Sequence, residues 1–224
     1  MIMRNLLVAL TCLLTIDGYC QSVSKIYYKD VADGCVKDYY YSFHEAVQDG
    51  DKESTQDRYH KMINNCIKGK YLSNHSFKTL DKEQLETDSI SKPLVITIAA
   101  PWCPPCWPEI DGLNALVDKY NDQVHFVVLF WDTKGNLKKM APKYDNRIQL
   151  VAAKKTYAQS EQGPVYGNAF KHNLGLPSTY VIDKDKKIVN FAMGGYGTSK
   201  ESSKEEANKK IIAHLECVIQ PILN

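Results

Sequence analysis

No apolar run in this chain of 224 residues reaches the roughly 20 that a membrane-crossing helix needs. Leu6 to Leu14 falls well short, so no membrane span is expected in the mature chain. An excess of charge is also missing. The formal net charge is +2, and without a clustered basic face there is no electrostatic footprint for nucleic acid. The lysines are scattered, and Lys204 to Lys210 mix with glutamates as on a solvated helix face. The ligands of a zinc site are absent as well. Such a site takes four ligands, usually as two close pairs. Cys103 and Cys106 are the one closely spaced cysteine pair, and no His-x3–5-His follows. His44, His60, His75, His125, His172 and His214 form no constellation, and His125 reads as a core residue. No metal or cofactor is expected. There is no internal repeat and no low-complexity tract.

What is present is ordinary globular composition, 44% hydrophobic and 24% charged, enough for one packed domain plus an appendage. Residues 1–20 read as a signal peptide. Arg4 supplies the positive region, Leu6 to Leu14 the apolar core, and Gly18 and Cys20 the small residues before a cut at Gln21. A buried N-terminal strand is the weaker alternative, since no alternating pattern follows. Lipid attachment at Cys20 is weaker too, because Asp17 and Tyr19 suit it poorly. Export into an oxidising compartment is expected, where disulfides persist. Cleavage removes Cys12 and Cys20 and leaves five of the seven cysteines, Cys35, Cys66, Cys103, Cys106 and Cys217. Cys35 and Cys66 are candidates for a structural disulfide, and whether they pair stays open. Cys217 has no assigned role.

Residues 21–70 read as a helical segment. Tyr40, Phe43, His44 and Val47 recur at helical spacing, as do Tyr59, Met62, Ile63 and Cys66, with polar Gln48 to Gln56 between them. From residue 71 to 224 strands and helices alternate. Ser76 to Leu80 is a candidate strand ending at Asp81. Leu94 to Ala99 is continuously apolar, as suits a strand buried on both faces. A helix follows Cys103 with Ile110, Leu113, Val117 and Tyr120 on one side, then a buried strand over Val124 to Trp131. Strand, helix, strand of this kind is a parallel unit with a right-handed crossover. Ile148 to Val151 is an edge strand, Val165 to Asn173 a short helix, and Thr179 to Ile182 a strand. Asp183 to Lys187 turns into a hairpin partner ending at Met193. A last helix starts near Ser199 with Ile211, Ile212, Leu215, Val218, Ile219 and Ile222 as its buried stripe. The fold class is α/β, a mixed central sheet flanked by helices.

The strongest chemical signal is Cys103-Pro104-Pro105-Cys106, between a buried strand and a helix. Two cysteines three apart on a first helical turn can close a disulfide. The first meets unpaired backbone N–H groups and the positive end of the helix dipole. Both favour thiolate, and in such motifs the pKa falls from about 8.5 to about 7 or lower. Pro104 and Pro105 lack N–H groups where the helix needs none.

Ala100-Pro101-Trp102-Cys103-Pro104-Pro105-Cys106-Trp107-Pro108-Glu109 resembles the active-site segment of the thioredoxin superfamily, and its exported TlpA/ResA-like branch most of all. Gly175 to Asp183 resembles the cis-proline loop and the strand after it. Gly69 to Asp81 resembles the branch's opening hairpin. The resemblance, over residues 66 to 219, implies a thioredoxin-like fold and disulfide exchange with protein cysteines. Cys103 is then the exposed nucleophile and Cys106 the resolving thiol. Trp102 belongs to an apolar collar, and Leu176 offers its backbone beside cis-Pro177. Thioredoxin carries a buried acid six residues before its first cysteine, and Thr97 stands there in this chain. The exported branch carries an acid three residues after the second cysteine, which matches Glu109, although a solvated helix glutamate would read the same. Pro108 departs from the branch and is expected to bend the helix start. Trp107 and Trp131 read as core. The partners implied are protein thiols, protein disulfides and a redox partner protein, with the chain a monomer working as a reductant. The alternatives are a thiol peroxidase, which would need a nearby Thr and Arg, and a redox-inactive binding module on the same fold.

Overall fold

A computed structural model of the protein describes residues 24–132, 134–152, 170, 175–193 and 203–223. The signal-peptide reading and, apart from Phe170, the helix expected over Val165 to Asn173 lie outside them. A two-stranded hairpin of β1 (Ser76–Lys78) and β2 (Gln84–Glu86) accompanies a five-stranded sheet. That sheet comprises β3 (Leu94–Ala99), β4 (His125–Phe130), β5 (Gln149–Ala152), β6 (Ser178–Ile182) and β7 (Ile188–Met193) in the order β5-β4-β3-β6-β7. β3, β4 and β5 run parallel, and β6 and β7 close the sheet antiparallel. The helices are α1 (Tyr28–Val31), α2 (Lys37–Gln48), α3 (Lys52–Met62), α4 (Trp107–Tyr120), α5 (Lys134–Met140) and α6 (Lys204–Ile219). The mixed sheet between helices is the architecture expected from the sequence.

Both faces of the sheet are covered, and β3 shows why it reads as an unbroken apolar run. Leu94, Ile96 and Ile98 enter one core, and Val95 and Ala99 the other. On the second side lie α4 and α6, where Leu113, Leu116 and Val117 share a core with Ile211, Leu215 and Val218. The helices approach so closely that a Cβ on Gly112 would stand 2.7 Å from Leu215 Cδ1. On the first side lie residues of the N-terminal helices: Tyr28, Met62, Ile63, Cys66 and Ile67. The Tyr28 hydroxyl is 3.2 Å from that of Tyr180 on β6.

The N-terminal segment also reaches the sheet edge. Gly69 N–H donates to the Ile188 carbonyl and Leu72 N–H to that of Lys186, each at 2.8 Å, and Tyr71 bridges Tyr27 beyond. At the opposite edge Leu80 N–H donates to the Leu150 carbonyl at 2.7 Å. Parts of both exposed strand edges are thereby paired, which removes templates for aggregation. Cys35 and Cys66, in the π-helical turns Ala32–Val36 and Ile63–Ile67, form a disulfide with Cα atoms 5.6 Å apart.

Several boundaries differ from the sequence reading. The opening strand ends at Lys78, turns over residues 79–83 and returns as β2, which the sequence reading lacked because three residues leave little periodicity. Between α2 and α3 only Asp49–Asp51 is non-helical, so the polar stretch Gln48 to Gln56 is largely helix. His44 and Val47 are exposed, and Ala46 and Val36 are buried instead. α6 begins at Lys204, with the Ser203 hydroxyl accepting from Glu206 N–H. Ile212 is half-buried, beside the stripe. His125 is half-buried at the start of β4, its Nε2 3.0 Å from Gln149 Oε1.

Candidate active site

β3 delivers the chain to the site and α4 carries it away. After Ala99 the backbone turns through Ala100–Trp102, and Cys103 N–H donates to the Ala100 carbonyl at 3.3 Å. Cys103 is extended (φ −97°, ψ 99°), and Pro104–Cys106 form a single 3-10 turn before α4. Cys103 and Cys106 are joined as a disulfide across that turn, their Cα atoms 5.4 Å apart. Cys103 is more covered than the exposed nucleophile expected from the sequence. It is 4% exposed and Cys106 3%, because both belong to the buried core on the α4 side of the sheet, with Ala100 and Ile110. The two differ in surroundings: Cys103 borders an open groove that Cys106 does not reach. Pro108 takes the second position of α4 and cannot donate to the Pro104 carbonyl, which accepts from Trp107 N–H instead, in the 3-10 turn Pro104–Cys106 that precedes the helix.

The groove has a volume of about 430 Å³. Its walls are the Cys103-Pro104-Pro105 turn, Trp102, Trp131 and the Gly175-Leu176 loop. Trp102 is 60% exposed and meets Trp131 edge-on with ring centroids 5.7 Å apart. Trp131 is half-buried and Trp107 is exposed, so neither is the core residue expected. Trp107 instead lies back over the loop, its Nε1–H donating to the Pro101 carbonyl at 2.9 Å. Gly175 has φ +91°, which favours glycine. The Leu176–Pro177 peptide is cis, and the Ser178 hydroxyl donates to the Gly175 carbonyl at 2.7 Å. Ser178 lies opposite Ile98 in the β3–β6 register, which brings Pro177 beside Ala99 and the turn that follows it.

Glu109 stands one helical turn beyond Cys106 and is 4% exposed. Its Oε2 has no hydrogen-bond partner among the described residues. Burial pushes the carboxyl up to about 8 from its ordinary 4.5, since an unpaired charge is costly away from water. Tyr144 shares the core of Cys106. Burial first, and then the negative charge of Glu109, raise its phenol above the usual range. Thr97 lies opposite Thr179, and their buried hydroxyls are 3.0 Å apart. The place of the thioredoxin acid is thus filled by a neutral pair that satisfies itself, and the buried carboxyl comes from α4.

The structure brings Trp102, Cys103, Cys106, Leu176 and Pro177 together at one end of β3, with Glu109 beneath on α4. Trp131 and Tyr144 were missed. The available signal for Trp131 was its place just past the C-terminal end of a parallel strand, the end at which open α/β sheets bind ligands. Tyr144, isolated among polar residues, carried none. Among the described residues no three His, Cys, Asp or Glu side chains are placed to hold a metal ion, and no helix is long and apolar enough to cross a membrane.

Known proteins align with this region. Thiol-disulfide oxidoreductase ResA of a Bacillus cereus strain is 27% identical over 130 residues, covering 56% of this chain and 69% of that protein. Thioredoxin-like protein YneN of Bacillus subtilis (strain 168) is 25% identical over 138 residues, covering 59% and 75%. A solved thio-disulfide isomerase from Thermus thermophilus superposes with a TM-score of 0.48 at 21% identity, over 68% of this chain and 96% of that one. Residues 65–191 match the AhpC/TSA family, a span that holds both site cysteines, Glu109 and Pro177. That span is more than half of the 224 residues, and the chain belongs to the AhpC/TSA family with a thioredoxin-like fold.

Proposed function

We propose that this chain is an exported thiol–disulfide oxidoreductase that reduces disulfides in protein substrates through Cys103 and Cys106. The observation that carries the reading is the asymmetry of this pair. Cys103 borders an open groove, and Cys106 precedes a buried carboxyl by one turn. In the dithiol state the Cys103 thiolate attacks one sulfur of a client disulfide. A Cys103–client bond forms, the client bond breaks, and the other client sulfur leaves as a thiolate that takes a proton. Cys106 then gives its proton to Glu109 in its carboxylate form, its thiolate attacks Cys103 Sγ, the Cys103–client bond breaks, and the second client sulfur leaves as a thiolate that takes that proton. The client is released with both thiols reduced, and the chain is left with the disulfide found in the structure. A dithiol partner protein returns two electrons and restores the pair. The exchange uses no bound cofactor and needs one copy of the chain. Two disulfides and the signal-like N-terminus fit an oxidising compartment.

Among the described residues no arginine lines the groove beside Cys103, so the arginine that the peroxidase alternative needs is not placed there. Arg147 pairs with Asp118, twelve residues along α4 from Cys106 and so about 18 Å away along the helix. Arg58 donates to the Ser42 carbonyl in the N-terminal segment.

Trapping tests the order of attack. Cys106→Ser is expected to accumulate mixed disulfides with envelope proteins, and Cys103→Ser is not. Trapping through Cys106 in the Cys103→Ser variant would reverse the assignment.

A further inference from the structure

We propose that Trp131 is a specificity-determining residue, and that the groove selects client cysteines flanked by a bulky apolar side chain, aromatic above all. The proposal rests on the exchange reading above and adds the substrate class.

A client sulfur has to meet Sγ of Cys103, which lies at the groove's border. The residue next to that client cysteine therefore falls in the groove itself. Its walls are indole, proline ring and Leu176 side chain, and no charged side chain lines it among the described residues. A charged or strongly polar neighbour would lose water there without gaining a partner. An apolar neighbour would lose only unfavourable hydration.

Trp131 turns a flat patch into a corner. It immediately follows β4, and its N–H donates to the Ala99 carbonyl at 2.6 Å, tying it to the end of β3. Its ring then stands edge-on to Trp102 at 66°, so the groove has two aromatic walls. Such a corner offers a third ring the offset and edge-to-face contacts that aromatic groups favour. Trp102 is 60% exposed, whereas Trp131 is half-buried and packs against the α4 core, so Trp131 is the more firmly seated of the two walls.

The test uses the full chain reduced with dithiothreitol, and short peptides Ala-X-Cys-X-Ala capped on sulfur by thionitrobenzoate. Release of the coloured thiol reports attack by Cys103. With X as Phe the wild-type protein should react roughly 10-fold faster than with X as Ser, in line with a pocket that gains one aromatic side chain. X as Glu should be slowest. In Trp131→Ala the Phe:Ser ratio should fall to about 2, and Trp131→Phe should keep most of it. The ratio is internal to each variant, so loss of folded protein lowers both rates alike and leaves it unchanged. An undiminished ratio in Trp131→Ala, or equal rates for Phe and Ser in the wild type, would overturn the proposal. Reduction of 2-hydroxyethyl disulfide by the wild type checks the underlying exchange chemistry. If that fails, the proposed function fails with it, whereas success with it and no peptide preference refutes the Trp131 role alone.

Discussion

Replacing Glu109 by glutamine keeps the shape of the side chain and removes its ability to ionise. In the folded, oxidised protein the carboxyl is held at about 8, against 4.5 when unperturbed. The native state thus holds a proton that the unfolded chain releases above pH 4.5. Stability linked to Glu109 is complete below that pH and is lost as pH rises through about 8. At about 1.4 kcal/mol per pH unit, the loss is about 3 kcal/mol by pH 7 and about 5 kcal/mol by pH 9. Glu109→Gln does not ionise and escapes this loss. Its stability advantage over the wild type should therefore grow by about 2–3 kcal/mol between pH 5 and 7, and by about 4 kcal/mol between pH 5 and 9. Urea unfolding of both proteins, oxidised and in parallel across that range, measures the difference and cancels the titration of all other groups. The same variant should resolve mixed disulfides roughly 10- to 1,000-fold more slowly at pH 7, because a general base contributes on that order. The first attack by Cys103 should stay near its normal rate, and stopped-flow mixing with a model disulfide separates the two steps. A stability difference that is flat from pH 5 to 9 would mean that Glu109 is solvated in the folded state, and the shuttle role would go with it.

Other consequences concern the frame around the site. Converting both Cys35 and Cys66 to Ala opens a loop of sequence separation 31, and chain entropy predicts a loss of about 3–4 kcal/mol, measurable by urea unfolding. Gly112→Ala forces a methyl to within 2.7 Å of Leu215 Cδ1 and 2.9 Å of Ile211 Cγ2, and the one χ1 rotamer a helix strongly favours for isoleucine leaves Cγ2 little room to turn away. Overpacking of about 1–3 kcal/mol outweighs the roughly 1 kcal/mol gained in helix propensity. Tm should fall by roughly 2–4 °C, and a rise would show that α6 yields. Ser203→Ala removes the acceptor for Glu206 N–H, 3.2 Å away, and should lower stability by about 1 kcal/mol in the same unfolding assay.

The sequence alone determined what is local. Leu94 to Ala99 reads as a buried strand because both of its faces are apolar, and the structure buries all six residues. The Cys-Pro-Pro-Cys spacing fits one turn at a helix start, and Gly175-Leu176-Pro177 resembles a known loop; both are read without distant partners. The acid three residues after Cys106 is legible through the resemblance to the exported branch, and helical spacing adds only which face it takes. Tertiary structure decided the remainder. Burial without a partner makes Glu109 more than a surface glutamate, and that depends on what packs over α4. Trp131 lines the groove because β4 ends level with β3, a register that bonds between strands impose and no periodicity records. Cys35 reaches Cys66 only once the N-terminal helices fold together. Tyr28 meets Tyr180 because that segment covers one face of the sheet. Each of these contacts joins residues far apart in the chain, and their pairing is fixed by the packing of whole elements, which leaves no pattern within any one of them.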